Sequence, residues 1–262
     1  MNFVPLTDSD KQQMLLRIGA PSAEQLLSDM QPKLERPLAL PPALSEMEVS
    51  NLVRSISEKN RVLKCFRGAG SYAHYVPSTV GQLLLRGEFF TAYTPYQPEV
   101  SQGTLQAIYE FQTLICQLTC MEAANASMYD CATAIADAVI IARAANGRKE
   151  IFVAGKLNPQ YRATLDTYAA AGNFEFSQTV GQNTTCVVVQ NPDYHGNILD
   201  LAPLEKQAHE AGALLIVAVP DPTCLAVMRP PGEFGADIVV GELQALGNGM
   251  NFGGPTGGFM AI

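Results

Sequence analysis

Leu214-Leu215-Ile216-Val217-Ala218-Val219 is preceded by Gly212-Ala213 and followed by Pro220-Asp221-Pro222. The run places no polar residue at alternate positions, so neither of its faces can be turned to water. A strand of that kind is buried on both sides, as in a parallel or mixed α/β sheet with helices on each face. Gly212 ends the helical stretch expected at 203–211, where a glycine relieves the last turn. Asp221 sets a carboxylate just past the strand's carboxyl end.

The same alternation extends in both directions. Upstream, strands are expected at 123–129, Glu150–Ala154, 174–177 and Thr184–Gln190, with helices at 132–145 and 159–171. Downstream, strands are expected at 237–240 and 258–262. Pro98 precedes a helix at 100–119, where Leu105, Ile108, Tyr109, Gln112 and Ile115 follow helical spacing. The first sixty residues read as short helices joined by proline-rich connectors. Ser22 with Gln25 and Ser45 with Glu48 fit capping boxes, and proline chemistry extends Pro37-Leu38-Ala39-Leu40-Pro41-Pro42 between them. This predicts a helical N-terminal arm over 1–66, wrapping another surface, and a large α/β domain over 67–262. The chain stops on the apolar strand Gly258-Phe259-Met260-Ala261-Ile262, which reads as the interior of a longer protein.

Of the 262 residues, 47% are hydrophobic and only 16% charged, against ~25% charged in ordinary soluble chains. The expectation is that much of the surface is buried against partners. Net charge is −8 without any basic run, which argues against nucleic-acid binding. No apolar run approaches the ~20 residues of a membrane span. The start lacks a basic region followed by an apolar core, so a cytoplasmic location is expected. Six cysteines, Cys65, Cys116, Cys120, Cys131, Cys186 and Cys224, are scattered through apolar stretches. Cys116 and Cys120 would share a helix face, but without a Cys-x-x-Cys or a nearby histidine the set reads as buried, reduced thiols.

The common phosphate and metal signatures fail. Gly147-Arg148-Lys149 lacks the rest of a phosphate loop, and Gly247-Asn248-Gly249 has no third glycine at dinucleotide spacing. His209-Glu210 has no second histidine four residues after the first, and with only His74, His195 and His209 available no histidine-based metal site is expected. Three segments stand out. Arg67-Gly68-Ala69-Gly70-Ser71-Tyr72-Ala73-His74-Tyr75 and Thr91-Ala92-Tyr93-Thr94-Pro95-Tyr96-Gln97-Pro98-Glu99 place aromatic, imidazole and carboxylate groups in loops, where functional groups gather on a rigid frame. Composition alone fits a proline-stiffened connector equally well. The third is the glycine-rich stretch from Gly241-Glu242 through Gln244 to Phe252-Gly253-Gly254-Pro255.

A strand ending in Asp, then a second strand, then a glycine-rich loop is the order found in fold-type I pyridoxal-phosphate enzymes. There the Asp pairs with the pyridine nitrogen and a lysine after the next strand forms the Schiff base. Here the last lysine is Lys206, so the required amine is missing from its place. A self-sufficient aminotransferase or desulfurase is thereby disfavoured.

With these residues in view, the two tyrosine-rich loops, Ala124-Asn125-Ala126-Ser127-Met128-Tyr129-Asp130, Gly235-Ala236-Asp237-Ile238-Val239-Val240-Gly241-Glu242 and Phe252-Gly253-Gly254-Pro255 closely resemble subunit 1 of the glycine cleavage system P-protein family, the bacterial glycine dehydrogenases (decarboxylating). The resemblance covers nearly the whole chain. It implies a fold-type I pyridoxal-phosphate-transferase-like large domain with a mixed, seven-stranded-type sheet, followed in the family by a C-terminal domain absent here. It implies an alpha subunit paired with a beta subunit in a dimer of dimers, the beta subunit holding pyridoxal phosphate on its lysine. Counted back from the Gly-Gly-Pro turn, Gln244 falls at that lysine's position. The implied activity is decarboxylation of glycine, with the aminomethyl remnant passed to the lipoyl arm of the H-protein. Tyr93, Tyr96, Gln97, Glu99 and His74 are the candidates contributed to the partner's site, and no metal is implied. The alternative is a catalytically inactive remnant of the fold acting as a structural or regulatory partner. Departures from the family pattern are Cys120 and Cys131 where glycine is expected, and differences at Gly249 and Thr256-Gly257. If the turn at Cys131 needs a positive φ, cysteine costs on the order of 1 kcal/mol there.

Overall fold

The computed structural model describes residues 5–28, 39–61, 63–64, 66, 68, 70–251 and 256–262. The chain divides into two units, Met1–Cys65 and Phe66–Ile262. The first holds α1 (Asp8–Ile18), α2 (Ala23–Leu26) and α3 (Glu46–Ser57). Ser45 and Glu48 close the expected capping box on α3, while Ser22 caps α2 from one side only. A further box, Thr7 with Asp10, starts α1 and was not singled out in the sequence. Pro37 and Leu38 of the proline-rich segment, and Cys65, lie outside the described residues.

The second unit runs α4 (Ser78–Leu84), α5 (Gly87–Phe90), α6 (Gln102–Thr119), α7 (Cys131–Asn146), β1 (Glu150–Ala154), α8 (Pro159–Gly172), β2 (Glu175–Ser177), β3 (Thr184–Gln190), α9 (Ala202–Glu210), β4 (Leu214–Val219), β5 (Ile238–Glu242) and β6 (Gly258–Ala261). The strands form one mixed sheet in the order β2-β1-β3-β4-β5-β6. All neighbours are parallel except β6, which is antiparallel to β5. Alternation decides which face each side chain covers. Cys186, Val188, Ile216 and Ala218 join α7 and α8 on one face, and Val187, Val189, Leu215, Val217 and Val219 join α6 and α9 residues on the other. The Leu214–Val219 run is thus enclosed from both sides, as its lack of alternation requires.

The strand expected at 123–129 is not a regular strand. It bridges β6 at Ala124 to Ala261 and at Met128 to Gly258, both antiparallel. Four steps along this segment face three along β6, so one extra residue bulges and breaks the ladder. Hydrogen bonds survive at its ends, from Met128 N to Gly258 O at 2.7 Å and from Ile262 N to Ala123 O at 2.8 Å. The segment therefore occupies a seventh place beside the six strands and runs parallel to β5. That direction delivers the N-terminus of α7 to the carboxyl edge of the sheet.

Strain lies at one of the two unusual cysteines, and not at the one expected. Cys131 is the first residue of α7, with Asp130 as its N-cap. Cys120 is the C-cap of α6, left-handed at φ 57° and ψ 39°, and it is exposed rather than buried. Being past the helix end, it does not share a helical face with Cys116. Cys120→Gly is expected to raise stability by about 1 kcal/mol, because glycine takes this conformation without the Cβ penalty. Urea unfolding of the two proteins checks it, and an unchanged midpoint would show that the thiol's contacts compensate.

One ionic knot ties α9 to the start of β5. His209 Nδ1 lies 2.8 Å from Glu205 Oε1 and its Nε2 lies 2.9 Å from Asp237 Oδ2, while Leu215 N also donates to Asp237 Oδ2 at 2.7 Å. The hydrogen bond to Asp237, with Glu205 adding attraction, raises the His209 pKa. A raised folded pKa means that the knot contributes fully below the unfolded value of ~6.5. That contribution fades as pH rises through the folded value. The gap in urea midpoint between wild type and His209→Gln should therefore be larger at pH 6 than at pH 9; a constant gap would overturn this.

Candidate functional site

Four strand ends and one helix start supply the polar groups at the carboxyl edge. After β1 stands Asn158, whose backbone N–H donates to Gln190 Oε1 at 2.8 Å and whose side chain caps α8 through Gln160 N at 2.9 Å. Past β3, Asp193 accepts from His195 N at 2.9 Å and from Asn197, and the Asn197 side chain lowers its pKa. Beyond β4, Asp221 accepts from Thr223 N at 3.0 Å and Thr223 Oγ1 at 2.6 Å. These groups surround a cleft of about 420 Å³ that Gly70, Tyr72, Tyr194 and Cys224 also line. Burial, followed by the Asp221 charge, pushes the Cys224 thiol up to about 11, so it stays protonated near neutral pH and is no nucleophile there.

Glu242 closes β5 and turns toward α7. Its Oε2 accepts from Cys131 N at 3.2 Å, and its Oε1 accepts from the Thr256 hydroxyl. Asp130 accepts from Thr133 N at 2.7 Å. Two carboxylates thus satisfy the start of α7, where the helix dipole favours negative charge. Burial raises the pKa of Glu242, and burial with the Glu242 charge raises that of Cys131. Burial likewise raises the pKa of the Tyr161 hydroxyl.

The sequence-derived candidates separate into two places. His74 Nε2 sits 3.4 Å from Asp221 Oδ2, enclosed but not aligned for a hydrogen bond. Gln244 is buried; its Oε1 accepts from Tyr72 N at 3.5 Å and its Nε2 donates to Asn248 O at 2.9 Å. Tyr93, Tyr96, Gln97 and Glu99 lie instead on the connection between α5 and α6, all exposed. The Tyr93 and Tyr96 rings are 6.0 Å apart at 52°. Beside them a cleft of about 460 Å³ is lined by Arg86, Phe89, Val100 and Thr104. Arg67, Ala69 and Phe252-Gly253-Gly254-Pro255 lie outside the described residues. Sequence reasoning passed over Asn158, Gln190 and Glu242. The available signal was a polar residue at or just beyond the end of an apolar strand.

A mixed sheet with an antiparallel last strand and an Asp beyond β4 defines a fold-type I pyridoxal-phosphate-transferase-like large domain. The chain matches the glycine cleavage system P-protein over residues 1–262, and it belongs to that family. It is 47% identical to the probable glycine dehydrogenase (decarboxylating) subunit 1 of Moorella thermoacetica, covering 100% of this chain and 62% of that protein. Identity to the protein of the same description from Xanthobacter autotrophicus is 45%, covering 100% and 63%. A crystal structure of glycine decarboxylase (P-protein) of the glycine cleavage system, in inhibitor-bound form, superposes with a TM-score of 0.92 at 44% identity, covering 100% of this chain and 62% of that one. This chain therefore spans just over three-fifths of the length of these relatives. Among the described residues no helix is long and apolar enough to cross a membrane, and no cluster of three or more His, Cys, Asp or Glu could hold a metal.

The crevice does not fit pyridoxal phosphate. Asp221 Oδ1 is taken up by Thr223 and the His74 ring stands 3.4 Å from Oδ2, and Gln244 offers an amide already bonded on both sides. At the start of α7 an anionic phosphate would meet Asp130 and Glu242. Glu242→Ala is expected to destabilise the fold by about 1–3 kcal/mol, since the Cys131 N–H loses its acceptor inside the protein. Glu242→Gln retains an acceptor and should cost much less; equal losses in urea unfolding would show that charge, not acceptance, matters.

Proposed function

We propose that this chain is the lysine-free, alpha-type subunit of a glycine decarboxylase in the glycine cleavage system, completing the active site of a lysine-bearing beta-type subunit. The observation that carries the reading is the pairing of a crevice lined without lysine with an exposed, polar tyrosine loop. Pyridoxal phosphate, held by the partner, supplies the electron sink through which glycine loses carbon dioxide. This chain's part is to orient and to exclude water. Tyr93 and Tyr96 offer hydroxyl donors, Gln97 an amide and Glu99 a carboxylate, all on a loop stiffened by Pro95 and Pro98. Donors fixed before reaction stabilise charge as it develops, without reorganisation, and closing a loop over the site removes competing water. His74 lies apart from this loop, beside Asp221, and contributes from the crevice side by positioning. The lipoylated H-protein then receives the aminomethyl group. The 1–66 arm wraps the partner, which accounts for apolar side chains such as Met47, Val53 and Ile56 that are more than half exposed here.

The test uses this chain reconstituted with the beta-type subunit and lipoylated H-protein, with glycine-dependent carbon dioxide exchange as the readout. Because the relatives are longer, a version extended to their length is measured alongside. Tyr96→Phe and Glu99→Gln should leave assembly intact and slow exchange about 10²- to 10³-fold, as loss of one positioned donor does elsewhere. Wild-type rates in both variants would assign the loop to packing. Assembly without any glycine-dependent exchange would favour the inactive structural partner.

A further inference from the structure

The carboxyl edge of a doubly wound sheet is where such folds receive ligands, and here Gly70 and Tyr72 of the chain itself line that crevice. Residues 71–77 form neither helix nor strand, yet Gly70, Tyr72 and His74 each meet a different part of the carboxyl edge. Gly70, at φ +95°, lies so close to the start of α8 that an added Cβ would stand 3.1 Å from Asn158 Nδ2 and 3.4 Å from the Tyr161 hydroxyl. Tyr72 donates its N–H to Gln244 beyond β5 at 3.5 Å. His74 places an enclosed ring nitrogen 3.4 Å from Asp221 beyond β4. A segment without its own ladder keeps one position only through such contacts.

We propose that Gly70–His74 is a strap forming one wall of the crevice, with Asp221 and Gln244 serving as anchors for this strap rather than as ligand-handling groups. An imidazole stands against the carboxylate, and a backbone amide is bound where an amine would have to be. The strap thereby fixes Tyr75, which is 88% exposed, on the outer side. His74, Asp221 and Gln244 are positioning residues. The anchoring stands on this chain alone, whereas its effect on turnover in the assembled enzyme rests on the function proposed above.

Limited chymotrypsin digestion of the full chain, with mass spectrometry of cuts after Tyr72 and Tyr75, reads the strap directly. Cleavage there follows the population in which the segment is released. His74→Ala and Asp221→Asn should each speed cleavage about tenfold, and the double variant no more than the faster single one, because both remove the same contact. Asparagine retains the acceptor that holds Thr223, so cleavage in 222–228 should stay at the wild-type rate in Asp221→Asn. Gln244→Leu releases the other anchor and should speed cleavage after Tyr72, which keeps the test open if a variant at Asp221 does not fold. Unchanged cleavage, or effects of His74 and Asp221 that add, would overturn the anchoring. Protection of the wild-type strap by excess pyridoxal phosphate would overturn the claim that Asp221 and Gln244 serve the strap rather than a ligand. In the reconstituted enzyme, Asp221→Asn should lower turnover without weakening subunit association. Wild-type turnover with a loosened strap would overturn the positioning role, while absence of exchange in the wild-type mixture would count against the proposed function instead.

Discussion

Burial of β3 and β4 on both faces is the constraint from which the rest of the second unit follows. A strand such as Leu214–Val219, with Leu215, Val217 and Val219 on one side and Ile216 and Ala218 on the other, is stable only between two helical layers. Helices on both faces leave the ends of the strands as the places where polar chemistry can be built. Parallel connections make those ends unequal. The carboxyl edge gathers Asn158, Asp193, Asp221, Glu242 and Gln244, whereas the amino edge receives the helix ends, where Arg148 donates to the carbonyls of Thr184 and Ala211.

At that edge the chain departs from what its architecture serves in cofactor-bearing proteins. An α/β crevice ordinarily keeps its carboxylate and its helix N-terminus open to a ligand. Here both are engaged internally, the helix by Asp130 and Glu242 and the carboxylate by Thr223, with His74 beside it. The energetic logic is that of satisfied polar groups. A buried donor or acceptor without a partner costs about 1–3 kcal/mol, and bonds such as those from Thr223 to Asp221 and from Cys131 to Glu242 avoid that cost. The tyrosine loop between α5 and α6 shows the opposite behaviour. Its hydroxyls and carboxylate face outward, where an assembly rather than this chain could use them.

The strained position illustrates how local chemistry and tertiary context divide the work. Cys120 sits left-handed because α6 must stop there and because Gly232 presses against it, leaving room so small that a Cβ on Gly232 would stand 2.1 Å from the Cys120 carbonyl oxygen. A cysteine at the start of α7 carries no such burden, since the first residue of a helix already has helical angles. Two cysteines at unusual positions therefore differ in consequence for reasons that spacing does not reveal.

Taken alone, the sequence determined the order of strands and helices in the second unit, the doubly buried β4, the box that starts α3, and the absence of any lysine beyond Lys206. These are local matters of periodicity, capping and residue chemistry, which each segment carries within itself. It also located Asp221, His74 and Gln244 as residues of interest, through their places relative to strands. Tertiary structure alone decided that 123–129 bulges against β6, that Glu242 meets the start of α7, and that Gly70, Tyr72 and His74 approach Asn158, Gln244 and Asp221. Those outcomes depend on contacts between residues far apart in the chain, such as Tyr72 with Gln244 and Cys131 with Glu242. No short-range pattern encodes them, because the pairing is set by how the sheet brings its edges together.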